Sequence, residues 1–221
     1  MNDEPVLNAV LNLLQAPAEA SGQFFRYHDL LLEWNQRMNL ISRQDETRIV
    51  RRHFIESVAL LQFADMPLRT RLLDIGTGAG FPGIPIKICR PDIQVTMIEA
   101  TRKKGLFLNH LIHELDLSGV HVIIGRAERP PENKPIADIV ISRAVSDTGT
   151  IVKWSAPYLN TTGGRIILLK GLCARNELND LPIRVSTLNI SASCYTTFVP
   201  FPVLLPGFKQ SLIEIEIGNK S

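Results

Sequence analysis

Cysteine is scarce in this chain of 221 residues: Cys89, Cys173 and Cys194 stand far apart, odd in number and without Cys-x-x-Cys spacing. Such a set supplies neither a disulfide framework nor a thiolate zinc site, and it points to a reducing, cytoplasmic compartment. Long apolar runs are missing too. No window reaches the ~18 apolar residues of a membrane span, and the opening Met-Asn-Asp-Glu-Pro lacks the basic and apolar regions of a signal peptide. A soluble protein with no membrane partner is expected. Neither sign of charge dominates: the net charge of +2 is compatible with a nucleic-acid partner but does not argue for one. Internal repeats and low-complexity tracts are lacking. So are a Ser-His-Asp set, a paired-carboxylate arrangement and metal-ligand spacing, and with no metal site expected the chemistry must come from elsewhere.

What is present is concentrated in residues 71–83, Arg-Leu-Leu-Asp-Ile-Gly-Thr-Gly-Ala-Gly-Phe-Pro-Gly. An apolar run ends in Asp74, the chain turns on Gly76, Thr77, Gly78 and Gly80, and a helix follows Pro82. Glycine suits a tight strand-to-helix turn that visits positive φ, and a bare backbone lets a ligand lie against it. Asp74, at the strand's carboxyl end, is placed to accept from a cationic or NH-rich ligand; a pyrophosphate would be repelled there. The next apolar run ends in Glu99, at the position of a ribose-hydroxyl acceptor in a nucleotide-binding βαβ unit. These features favour S-adenosyl-L-methionine. A nicotinamide or flavin dinucleotide remains an alternative, because Gly78-x-Gly80-x-x-Gly83 matches that fingerprint, and so does a turn without a ligand.

Residues 5–63 read as helical. Phe24, Tyr27, Leu31, Trp34 and Met38 recur at steps of three and four, a stripe expected to pack in the core. Ser42 and Asp45 form a capping pair, and a helix from 44 to 62 is expected, with Ile49, His53 and Ser57 on one face and Arg52 over Glu56. From residue 71 strands and helices alternate, with strands at 71–75, 93–98, 120–124, 138–142 and 164–169 and helices near 83–89, 102–115 and 148–157, which means a parallel sheet covered on both faces. Val185–Ile190 and Gln210–Ile217 are two further strand candidates joined by the proline-rich loop 200–207, and an antiparallel pair at one edge is expected. The expected fold is α/β: a Rossmann-like class I S-adenosylmethionine-dependent methyltransferase with a mostly parallel seven-stranded sheet and an antiparallel last strand. Residues 1–66 would be an N-terminal helical extension and 67–221 the methyltransferase domain.

Several segments carry a more specific likeness: Trp34-Asn35, Asn39-Leu40, Arg52-His53-Phe-Ile-Glu-Ser57, Asp74 to Pro85, Glu99 with Arg102-Lys103-Lys104, Ser142-Arg143-Ala144 and Lys170-Gly171. In order and spacing the chain resembles the bacterial 16S ribosomal RNA guanine-N7 methyltransferases, the RsmG or GidB family, over nearly its whole length. The resemblance implies donor contacts at Gly76 and Phe81, at Ala127 and Glu128 after the third strand, and at Arg143 after the fourth. It also implies a single guanine of 16S ribosomal RNA as acceptor, in the small subunit or an assembly intermediate, with a monomer expected. The chain departs from the family's habit in carrying Glu56 for Asp and Phe81 for Leu. An NAD-dependent oxidoreductase and a non-catalytic ribosome-assembly factor remain as competing readings.

Guanine N7 carries an exposed lone pair, so a strong general base is unnecessary and orientation can carry the catalysis. Arg143 is expected to hold the target nucleotide through a phosphate or O6; pairing with an acidic neighbour is its other reading. Arg52, His53 and Lys170, with Arg48, Arg51, Arg102, Lys103 and Lys104, are the candidate RNA contacts, weighed against a solvated basic face and a buried, hydrogen-bonded histidine.

Overall fold

Five apolar runs form a parallel array: β1 (Arg71–Ile75), β2 (Gln94–Glu99), β3 (Val120–Ile124), β4 (Ile139–Arg143) and β5 (Gly164–Lys170). Leu72, Leu73, Val95, Met97, Val140 and Ile141 are all buried, as strands covered on both faces require. The structure, a computed structural model, describes residues 3–143, 145–160, 163–170, 175–179, 181, 190–198, 200–207 and 209–218. The chain enters the sheet at its centre, winds outward through β2 and β3, and returns to β4 on the other side of β1. The strand order is β3-β2-β1-β4-β5-β7-β6. The winding reverses between β1 and β4, so the crevice at their carboxyl ends is the place where such sheets hold ligands.

The two last strands, β6 (Ile190–Phe198) and β7 (Gln210–Ile217), differ from the rest in direction and composition. β7 lies antiparallel to both β5 and β6, with Lys170 opposite Ser211. Running backwards, β7 enters the sheet at the carboxyl edge, and this brings Gln210 and Ser211 to the functional side. Of the strand expected at 185–190, residues 185–189 lie outside the described residues, and the described strand runs over Ile190–Phe198. Its sequence, Ile-Ser-Ala-Ser-Cys-Tyr-Thr-Thr-Phe, belongs to a partly exposed edge strand and has no continuous apolar run to announce it. Tyr195 and Thr197 share hydrogen bonds with Ser211 Oγ at 3.1 and 3.0 Å. Ala144, Gly171 and Cys173 also lie outside the described residues.

Helices α1 (Glu4–Leu13) and α2 (Ala20–Asn35) pack on the sheet through one continuous core that joins Leu7, Phe24, Tyr27 and Leu31 to Ile84, Phe107 and Leu108. Most of the aromatic stripe of α2 is therefore core, although Trp34 is partly buried and Met38 falls beyond the helix end. The helix expected over 44–62 is broken into unlike pieces. A 3₁₀ turn (Arg43–Arg48) is capped by Ser42, whose hydroxyl accepts from Asp45 N, and a π-helical turn (Val50–Ile55) follows. Then come α3 (Glu56–Val58) and α4 (Leu60–Phe63). In the π turn the Glu56 amide reaches back five residues to Arg51 O; Arg52, His53 and Glu56 stand near Arg143 at the end of β4, while Phe54 and Ile55 are buried in the core. Helices α5 (Gly83–Cys89) and α6 (Arg102–Glu114) share that core, α7 (Thr148–Ser155) packs in a second one with Val140, Ile166 and Ile213, and α8 (Arg175–Asn179) follows β5. No helix among the described residues is long and apolar enough to cross a membrane.

Candidate active site

The turn after β1 is held from several directions. Asp74 is fully buried; its Oδ2 accepts from Thr77 Oγ1 at 2.7 Å and from Gly83 N at 2.9 Å. One carboxylate thus ties the strand end, the turn and the start of α5. Burial pushes its pKa up to about 7, against the hydrogen bonds from Thr77 and Gly83. From the helical side, Tyr27 donates its hydroxyl to Ala79 O at 2.6 Å. Glu99, buried at the tip of β2, accepts from Gly78 N at 3.0 Å and Thr101 N at 2.8 Å, while Gly125 N donates to Glu99 O and anchors the segment leading to Ala127.

These bonds leave the turn residues facing different ways. Gly78, at φ +61°, has open space where a Cβ would stand, directly beside the Glu99 carboxylate. Gly76, at φ +68°, meets the loop after β4: an added Cβ would lie 2.5 Å from Val145 Cγ2. Gly80 faces inward toward the Tyr27 hydroxyl, and the Thr77 hydroxyl is spent on Asp74. An open left-handed glycine beside an acceptor carboxylate fits a nucleoside with ribose hydroxyls. Ala127 is buried with its carbonyl accepting from Tyr158, and the neighbouring Glu128 pairs with Arg126 at 3.3 Å.

A second constellation stands beside this turn. Phe81 stacks on Tyr27 (centroids 5.4 Å apart) and on His53 (4.8 Å), and the Arg143 guanidinium lies 5.0 Å from the same ring. Arg143 donates to Arg52 O at 3.1 Å and to His53 Nδ1 at 2.8 Å, and stands 3.7 Å from Glu56 Oε2. A cavity of about 340 Å³ opens here, between Asp45, Arg52, His53 and Glu56 on one wall and Arg143, Lys170, Gln210 and Ser211 on the other. Burial raises the pKa of Glu56 against the pull of Arg143 and Arg52, and lowers that of Arg143. Burial, with Arg143 adding to it, lowers His53 to about 3, so its imidazole is neutral. Lys170 is engaged with Ser146 O at 2.8 Å and Glu177 at 3.0 Å; Glu177 also accepts from Thr148 N, so this lysine braces the loop after β4.

The structure therefore brings Arg52, His53, Arg143 and Lys170 together around one cavity, with Arg52 paired to both Asp45 (3.4 Å) and Glu56 (3.8 Å). Arg143 stands beside the turn, 5.0 Å from the Phe81 ring, and has Glu56 as an acidic neighbour. Arg48 and Arg51 pair instead with Asp45 and Asp3, and Arg102 and Lys103 are exposed at the start of α6. Sequence reasoning missed Gln210 and Ser211, and it saw Asp45 as a cap alone. The available signal was a polar Gln-Ser pair opening a strand that goes on to alternate, Leu-Ile-Glu-Ile-Glu-Ile.

Comparison with known proteins bears on the same segments. The sequence pattern of the family described as GidB, rRNA small subunit methyltransferase G, matches residues 21–200. The chain is similar to the ribosomal RNA small subunit methyltransferase G of Roseiflexus castenholzii, 42% identical over 170 residues that cover 75% of this chain and 71% of that one. It is also similar to its counterpart in Staphylococcus carnosus, 36% identical over 205 residues covering 90% and 83%. In fold it is similar to a SAM-dependent O-methyltransferase of Thermotoga maritima, with a TM-score of 0.59 at 13% identity, covering 80% of this chain and 71% of that one. With its family pattern, its relatives and its seven-stranded sheet in agreement, the chain belongs to the GidB family of S-adenosylmethionine-dependent methyltransferases of small-subunit ribosomal RNA.

Proposed function

We propose that the protein methylates N7 of a single guanine in 16S ribosomal RNA, with the donor at the glycine turn and the acceptor nucleotide entering the neighbouring cavity. The observation that carries this reading is the place of Arg143, which borders the turn through Phe81 and lines the cavity as well. Gly76, Gly78 and Glu99 with the Ala127-Glu128 segment hold the donor, while Asp74, Thr77, Gly80 and Phe81 fix the shape of the turn. When bound, S-adenosylmethionine would supply an electrophilic methyl group on a positively charged sulfur, with the electrons of its S–C bond left on sulfur after transfer to N7.

The chain's own residues need not remove a proton. His53 is neutral and its Nδ1 is occupied by Arg143, which suits a reaction without a general base. Orientation is then the main contribution, and well-aligned groups can supply up to about 7–11 kcal/mol. Arg143 supplies fixed positive charge for a phosphate or O6 of the acceptor, and the partly buried Glu56 balances that charge while the cavity is empty of substrate. Residues 1–66 act as a helical extension of the 67–221 domain, contributing one wall of the cavity, and the enzyme works in the cytoplasm on the small subunit or its assembly intermediate.

The test is incubation of the protein with labelled donor and 16S ribosomal RNA or subunits from a strain lacking this methyl group, followed by cleavage mapping of 7-methylguanosine. Label at N7 of one guanine is the expected result. Label at N1 or on an exocyclic nitrogen would discard the assigned position.

A further inference from the structure

Two buried polar atoms on residues that line the cavity have no hydrogen-bond partner among the described residues: His53 Nε2 and Gln210 Oε1. Both residues are 7% exposed, both line the cavity, and they come from opposite ends of the chain. Their hydrogen-bonding characters are fixed by what each binds on its other side. Arg143 has donors alone, so His53 Nδ1, 2.8 Å from its Nη2, must accept, and the proton of the neutral ring sits on Nε2. The nearest carboxylate oxygen to that N–H, Asp45 Oδ2, is 3.9 Å away, too far for a hydrogen bond. Gln210 donates its amide nitrogen to Glu56 O at 2.9 Å, so its free end is the carbonyl oxygen. The residues around the cavity thus carry one unspent donor and one unspent acceptor, both covered until a ligand enters, with the Glu56 carboxylate as a further acceptor.

A buried group left unpaired is costly, so each one in a native structure calls for an explanation, and a ligand that completes it is one. We propose that His53 and Gln210 read the target base: His53 Nε2–H donates to guanine O6, and Gln210 Oε1, with Glu56 beside it, accepts from the N1–H and N2–H₂ edge. This assignment rests on the guanine-N7 reading above and adds the residues that select the base. Guanine satisfies the pattern because it carries an acceptor at position 6 and donors at positions 1 and 2. Adenine inverts it, since its 6-amino group would oppose the His53 donor and its N1 lone pair would oppose the acceptors. N7, adjacent to O6, then lies on the His53 and Arg143 side of the cavity, which borders the glycine turn. The stack of His53 on Phe81 and the hydrogen bond of Gln210 to Glu56 O hold both readers in place before the base arrives.

The full-length protein is assayed on subunits reconstituted with guanosine, inosine or 2-aminopurine ribonucleoside at the target position. Inosine lacks the 2-amino group; 2-aminopurine lacks O6 and N1–H. Wild-type enzyme is expected to lose about tenfold or more in kcat/KM with either analogue, as sites built to hydrogen-bond a substrate do when the partner group is missing. In Gln210→Met the guanosine rate falls while the guanosine-to-inosine ratio shrinks to about twofold or less. In His53→Phe, which keeps a ring to stack on Phe81, sensitivity to loss of O6 shrinks similarly. A merely structural role would lower all substrates together and leave these ratios unchanged, and that outcome overturns the assignment; so does wild-type enzyme that methylates guanosine and inosine equally well. Calorimetric binding of S-adenosylmethionine within about threefold of wild type checks that each variant is folded; should His53→Phe fail this, Gln210→Met decides the question. Wild-type enzyme that leaves guanosine N7 unmethylated in every substrate would remove the functional reading itself, and the base assignment with it.

Discussion

The two halves of the site are built on opposite plans. The glycine-turn half comes from neighbouring segments, residues 74–80 and the tip of β2, and works through main-chain geometry: a left-handed Gly78, amides bonded to Glu99 and Asp74, and space where a side chain is missing. The cavity half draws on four distant stretches, around residues 45–56, 143, 170 and 210, and works through side chains that hold charge out of water. The first can keep its purpose under many changes that add no Cβ and lose no brace. The second depends on individual atoms, because a charge or donor stripped of its partner in a buried place is expensive.

That difference is most sharply tested at Arg143, where the halves meet. Arg143→Ala leaves Glu56 without one of its two cationic neighbours and His53 Nδ1 without a donor. Removing one member of such a buried pair costs about 3–5 kcal/mol of stability. Turnover is expected to drop by about a hundredfold or more, in the range of losing a preorganised electrostatic contact, while the donor dissociation constant moves by much less. Single-turnover kinetics beside donor calorimetry checks this; a loss confined to donor binding would move Arg143 wholly into the turn half.

The same contrast explains what could be read in advance. The turn, Glu99 and the five parallel strands were legible because each is a local pattern: an apolar run, its acidic tip, its glycines. Arg52, His53, Arg143 and Lys170 came with the family resemblance, and spacing alone gave no reason for them to meet. Gln210 was legible as the first residue of an antiparallel last strand, but not as a site residue, since its place in the cavity depends on the register that sets Ser211 opposite Lys170. The π turn at Val50–Ile55 was hidden because its residues carry an ordinary helical apolar pattern, while the contacts of its Phe54 with Phe24 and Phe81 are tertiary. Asp74 was legible as a residue of the turn, while its full burial and bond to Gly83 follow from how α5 folds back on β1.

Asp74 gives the next largest effect, and it belongs to the turn half. Its folded pKa of about 7 lies above the roughly 3.9 of an unfolded aspartate. Below about pH 4 both states hold the proton and nothing is lost; as pH rises to 7 the unfolded chain releases it first, and stability falls. Asp74→Asn keeps an oxygen to accept from Gly83 N and Thr77 Oγ1 and carries no charge. Urea denaturation from pH 4 to 8 should show the variant gaining on wild type across that window, by on the order of a few kcal/mol. Parallel curves would mean that Asp74 is ionised in the folded protein across the whole range.

Tyr27 couples the helical extension to the turn. Tyr27→Phe keeps the ring stacked between Phe54 and Phe81 but strands the buried Ala79 carbonyl, at a cost of about 1–3 kcal/mol. Donor affinity should weaken by a few-fold as the turn loosens, and discrimination between guanosine and inosine should stay intact. A changed base preference would show that the halves are coupled through Phe81.

The smallest effects are expected outside both halves, on the exposed start of α6 just beyond Glu99. Arg102 and Lys103 are open to solvent at the carboxyl edge of the sheet, where an RNA backbone approaching the cavity would pass. Replacing either with Ala should change folding stability by no more than about 0.5 kcal/mol, as is usual for surface positions. Each is expected to lower the slope of log affinity against log salt by about one, weakening RNA binding uniformly, because a phosphate contact releases counterions without reading sequence. With saturating RNA the turnover should equal that of wild type. A fall in turnover at saturation would place the basic edge inside the catalytic arrangement, and the boundary between a charge-lined approach and an atom-by-atom cavity would then have to be redrawn around α6.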